Sequence, residues 1–163
     1  MVRHKNFTLP LNGYVKNNSI KMNGYYKYYD SVENHFRVYI FYNNGVVYYA
    51  NSGNMKREEI DDYIRSRILA EQNRLAEIKD PGAFRINGNK IEMNIIAPLR
   101  YNIHVVKELK GTILTDSSFM ITYYYHPELP IQTDTFIYHF VPGPRPDSTK
   151  SNWVLHRKWY KGK

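Results

Sequence analysis

From His35 to Asn51 the chain reads HFRVYIFYNNGVVYYAN, two β-favouring runs on either side of Asn43-Asn44-Gly45. Asn and Gly tolerate the positive φ that a tight turn requires, so the stretch predicts a β-hairpin. Phe36, Val38 and Ile40 alternate with Arg37 and Tyr39, which assigns one face of the first strand to a dry interior and the other to water or a partner. Upstream, MNGYYKYY ends at Asp30-Ser31 and predicts a further strand, giving a three-strand meander. The period then changes. Over residues 54–79, Ile60, Ile64, Ile68, Leu75 and Ile78 recur at helical spacing, with acidic residues near the start, and Asp80-Pro81-Gly82 marks the stop. One amphipathic helix follows, its charged face read as solvated surface.

Strand patterning resumes after the helix. Residues 83–86 and 90–96 flank Asn87-Gly88-Asn89 as a second hairpin, with Ile91, Met93 and Ile95 on one face. Pro98 interrupts, and residues 101–109 form the next strand. Lys110-Gly111 and Asp116-Ser117-Ser118 bracket a short strand at 112–114; residues 119–125 and 133–140 complete the series. The rhythm of eight or nine short strands is that of an all-β sandwich or barrel. Pro142, Pro144 and Pro146 cannot donate to a ladder, so the chain leaves the sheet there. The organisation is an arm at 1–21, a β domain at 22–141 carrying the helix, and a tail at 142–163 that turns basic and aromatic.

Charge changes the picture only at the ends. The chain of 163 residues has a formal net charge of +8. Residues 1–21 hold four Lys/Arg and no acid, and residues 141–163 hold six against one, while the middle is nearly balanced. A basic groove across the fold is therefore unsupported. Basic ends suit an anionic membrane surface, a nucleic acid or an acidic protein. With no cysteine there is neither a disulfide nor a thiolate metal site. No apolar run reaches the roughly 18 residues that span a bilayer as a helix, and Met1 does not open onto a secretory signal. A mature chain whose signal and lipidated cysteine had been removed would read the same way.

The turn and strand motifs carry a resemblance. Asn23 to Tyr26 (NGYY), Phe41 to Gly45 (FYNNG), Gly82 to Ile91 (GAFRINGNKI), Lys110 to Phe119 (KGTILTDSSF), and Tyr138-His139-Phe140 followed by Arg145 to Thr149 (RPDST) resemble the small, uncharacterised lipocalin-like lipoproteins of Gram-negative bacteria. The similarity spans roughly residues 22–150. It implies an antiparallel up-and-down, calycin-type barrel of about eight strands with the helix inserted, and a cell-envelope setting, periplasmic or at the outer membrane; failing that setting, the chain is cytoplasmic. Gly24-x-Tyr26 stands where a true lipocalin has Gly-x-Trp, and no lipidation cysteine is present.

Chemistry is sparse. The six histidines show no metal-ligand spacing, the adjacent acids Glu58-Glu59 and Asp61-Asp62 do not face one another on a helix, and Ser117-Ser118 lacks a nucleophile elbow. No phosphate loop or dinucleotide fingerprint is present. The expectation is a non-enzymatic module without cofactor or metal. It would be either an accessory subunit of a membrane protein assembly or a binder of a small amphipathic ligand. Phe36, Val38, Ile40, Ile91, Met93, Phe119, Ile121, Phe136 and Tyr138 are the inward-facing candidates for core or ligand cavity, since an eight-stranded barrel can be packed solid or hold one small ligand. Trp153, Arg157, Lys158, Trp159 and Tyr160 are candidates for a partner or membrane surface, aromatics at the boundary and cations on the charge. The alternative is a nucleic-acid binder using strand tyrosines and basic termini, and it predicts steeply salt-dependent affinity.

Overall fold

The computed structural model describes Leu9 and residues 19–32, 35–51, 59–69, 80–100 and 103–144. Eight strands run in chain order: β1 (Gly24–Asp30), β2 (His35–Phe41), β3 (Val46–Asn51), β4 (Asp80–Asn87), β5 (Lys90–Arg100), β6 (Ile103–Thr115), β7 (Ser118–Tyr125) and β8 (Phe136–Pro142). Each pairs antiparallel with the next. β8 returns to β1, Tyr25 opposite Val141 and Lys27 opposite His139, so the sheet closes into an up-and-down barrel of the lipocalin-like kind. Closure leaves no free sheet edge.

Between β3 and β4 the described residues hold a helical segment, α1 (Ile60–Tyr63), continued by a π-helical stretch at Ile64–Leu69. The rest of the helix expected over residues 54–79 lies outside the described residues, as do most of the arm at 1–21 and the whole tail from 145 onward, including Trp153, Arg157, Lys158, Trp159 and Tyr160.

Several breaks expected from proline and glycine are absorbed by strands. Gly111 sits within β6, a single strand of 13 residues rather than two short ones. It lies against the backbone of Met120 on β7, at a register shift between Lys110 and Gly111, so close approach and not chain reversal explains the residue. Pro98 is carried inside β5 beside an irregularity between Pro98 and Arg100, where a missing donor is tolerated. Asp80-Pro81-Gly82 opens β4, with Pro81 opposite Tyr48 near the strand start. The last strand begins at Phe136, residues 133–135 remaining in the loop after a single bridge between Gln132 and Tyr124.

Both faces of the first three strands are buried, and this reverses one expectation. Phe36, Val38 and Ile40 are buried, yet they point away from the barrel axis. With Tyr25, Tyr42, Val46, Tyr48 and Ala50 they form an outer-wall cluster capped by Ile60 and Ile64 of the helical segment. The inward face of β2 is the alternate set, Arg37, Tyr39 and Phe41. Period two correctly separates the faces but does not say which one meets the axis. Here the drier face is the one under the helix. Burial of Ile60 and Ile64 contributes roughly 2 kcal/mol each.

A polar latch holds the same segment. Tyr25 Oη donates to Asp61 Oδ1 at 2.6 Å, and Lys27 Nζ donates to Oδ1 and Oδ2 at 2.7 and 2.8 Å. Burial alone would raise the Asp61 pKa. The hydrogen bonds from Lys27 and Tyr25 and the charges of Lys27 and Arg65 outweigh it and hold the carboxyl below its ordinary value. A depressed folded-state pKa stabilises above the unfolded value and loses that contribution as pH falls through the folded one. Asp61→Asn is therefore expected to cost about 1 kcal/mol at neutral pH, modest because the pair is partly exposed. The difference from wild type should shrink towards zero as urea melts are repeated down through the carboxylate range. A constant difference at every pH would refute the ionic latch.

Candidate functional site: a polar-mouthed pocket in one half of the barrel

Alternation of up and down strands sends the connections β1–β2, β3–β4, β5–β6 and β7–β8 to one end, here the upper, and the tight turns β2–β3, β4–β5 and β6–β7 to the other. The two halves of the interior differ accordingly. The lower half is filled by aromatic rings. Tyr26 lies 5.2 Å from Phe119 and 5.6 Å from Phe41, Phe41 lies 4.9 Å from Phe84, and Phe119 stacks on Tyr138 at 5.0 Å with planes 8° apart. Ile20 and Met22 pack beneath this cluster. The base is tied shut by Lys21, whose backbone N–H lies within hydrogen-bonding distance of Tyr26 Oη (2.9 Å) and the Asp116 carbonyl (3.0 Å), while Tyr26 Oη donates to that same carbonyl at 2.9 Å.

The upper half opens into a pocket of about 210 Å³. Ile95, Leu109, Ile121 and Phe136 supply its apolar surfaces, and Arg37, Tyr39, Tyr49, Lys107, Tyr124 and Tyr138 its polar groups, with Leu129 and Gln132 reaching in from the β7–β8 loop. An apolar cavity with a few converging polar groups is the usual form of a small-molecule site.

Arg37 is placed at the start of β2, where the chain enters the barrel from its upper end. Its Nη2 donates to Asp30 Oδ2 at 3.3 Å, its Nε to His35 Nε2 at 3.3 Å, and the guanidinium lies over the Phe136 ring, 4.7 Å from the centroid. Lys107 projects inward from β6 in the same phase as Leu109. Its ammonium stands 5.7 Å from the Tyr49 centroid and 6.0 Å from that of Tyr124. Burial lowers the Lys107 pKa, the Arg37 charge adds to that, and Asp80 opposes it through space.

The phenols are held neutral. Burial, reinforced by Tyr138 and Tyr49, raises Tyr39 well above its ordinary value. Tyr138 is raised chiefly by burial, and Tyr49, also by burial, is pushed up to about 12. At physiological pH these hydroxyls donate and accept hydrogen bonds and do not act as bases. His126, buried near this end as His35 is, has Nδ1 accepting the backbone N–H of Glu128 at 3.2 Å, which commits that nitrogen to closing the loop. Among the described residues no group of three or more His, Cys, Asp or Glu is placed to hold a metal ion.

Of the residues singled out from sequence, Ile121, Phe136 and Tyr138 line this pocket. Ile91, Met93 and Phe119 face the interior and belong to the core, outside the pocket lining. Phe36, Val38 and Ile40 are on the outer wall. Arg37, Tyr39, Tyr49, Lys107 and Tyr124 were not singled out. The available signal was a cation in phase with apolar neighbours, Lys107 with Val105 and Leu109, an arrangement that a solvated strand face does not need.

Fold and site together define a class: a closed eight-stranded barrel with one half packed and the other opened into an amphipathic pocket. No protein-family model, curated protein or solved structure matches the chain.

Proposed function

We propose that this protein is a non-enzymatic barrel that binds one small amphipathic ligand in its upper half. The observation that supports the reading is the mixed lining of the cavity, in which aliphatic side chains stand together with cations, phenols and an amide. A barrel meant only to be packed would gain nothing by placing Arg37 and Lys107 inside, since desolvating a cation costs free energy that apolar packing would avoid. The tyrosines argue against nucleobase stacking. Tyr26, Tyr39 and Tyr138 are buried inside the barrel and Tyr25, Tyr42 and Tyr48 beneath the helical segment, so these six offer no open ring face to a base. The motifs that resemble envelope lipoproteins support a cell-envelope setting, where amphiphiles are abundant.

The test is titration of the full chain with the neutral fluorescent amphiphile phenylnaphthylamine, alongside native mass spectrometry of the protein as purified. Saturable binding at one site is expected, and Leu109→Trp, which places a large ring in the pocket, should weaken it by about tenfold or more. Absence of saturable binding to the wild type, or binding indifferent to Leu109→Trp, would sink the proposal.

A further inference from the structure

The two cations of the pocket are in different states. Arg37 is spoken for: its charge is met by Asp30, its Nε by His35 and its face by Phe136. Lys107 is not. Among the described residues its ammonium has no ion pair and no hydrogen-bond acceptor, only the faces of Tyr49 and Tyr124. An ammonium carries three donors, and a partly buried one with none of them used stands in a costly state that an incoming acceptor relieves. The ring faces recover part of that cost, and a carboxylate would recover more, because a charge-assisted hydrogen bond exceeds a cation–π contact.

We infer that the ligand is an amphiphile with a single carboxylate, its head bound at Lys107 beside Tyr49 and Tyr124 and its apolar body laid against Ile95, Leu109 and Ile121. The inference rests on the pocket-binding reading above and adds the head group. One negative charge suits the site better than two, since Asp30 already meets Arg37 and Asp80 lies within electrostatic reach of Lys107. The neutral phenols beside the ammonium offer hydroxyl donors to the second carboxylate oxygen, and they favour an anion over a second cation.

Three ligands sharing one chain and differing in head decide the matter: octanoate, octanol and octylammonium, titrated calorimetrically into the full-length protein at neutral pH. Octanoate is expected to bind about tenfold more tightly than octanol, the size of one charge-assisted hydrogen bond, with octylammonium weakest. The advantage of octanoate over octanol should vanish in Lys107→Met and persist in Lys107→Arg, which keeps the charge. Octanol binding as tightly as octanoate overturns the carboxylate inference while leaving the pocket reading intact. Failure of all three to bind overturns both. Should Lys107→Met not fold, the ranking on the wild type carries the decision by itself.

Discussion

Phe119→Ala is expected to destabilise the barrel by about 4 kcal/mol, the middle of the range for a buried aromatic truncated to methyl. Phe119 is fully buried at the start of β7. Its ring stacks on Tyr138 and meets Tyr26, Tyr39 and Phe41 at centroid distances of 5.2, 6.0 and 5.6 Å. These partners come from β8, β1 and β2, so one side chain joins strands on both sides of the barrel closure. Removing it forfeits the transfer free energy and opens a cavity that the closed sheet cannot collapse to fill, because each wall strand is held by ladders on both edges. Since a domain of this size is stable by roughly 5–15 kcal/mol, the loss is a large share. Urea melts of wild type and variant measure it through the midpoint at constant slope. A loss under about 1 kcal/mol would show that the aromatic cluster is not the centre of the packed half.

The second large effect is expected at Gly111. A Cβ there would fall well inside van der Waals contact of the Met120 carbonyl oxygen and close to Ile121 Cδ1 at 3.0 Å. The obstruction is the backbone of the paired strand, which cannot swing aside as a flexible side chain would. Gly111→Ala must therefore push β6 from β7 where the ladder is already irregular, at an expected cost of about 3 kcal/mol. Gly88 is the control: its φ of 61° makes an alanine strained, but a Cβ there meets nothing within 4 Å. Gly88→Ala should cost only about 1 kcal/mol, the penalty of a left-handed L-residue. If the two substitutions cost the same in parallel melts, close approach does not explain Gly111.

Gly88 and Gly111 also mark how far local chemistry could be read. Asn87-Gly88-Asn89 and Asn43-Asn44-Gly45 are turns because their residues accept positive φ, a property of one or two residues, and both turns stand where expected. Gly111 looked like a similar break and is mid-strand, because its reason lies 9 residues away on β7. The pocket was hidden for a related cause. Ile121, Phe136 and Tyr138 were recognisable as interior residues from alternation, whereas Arg37 was assigned to the face left for water or a partner, and only barrel closure shows that it and Lys107 line the interior.

By itself, then, the order of residues determined an all-β chain with two recognisable hairpins and one inserted helical segment, since periods of two and of 3.6 are properties of short stretches. Only the tertiary structure decided that β8 closes on β1, that the helix covers the outer wall over Phe36, Val38 and Ile40, and that Lys107 stands inside beside Tyr49 and Tyr124. The physical reason is that alternation divides a strand into two faces equally well whichever faces the axis. In a strand buried on both sides the choice depends on what covers each face, and that cover comes from residues distant in the chain.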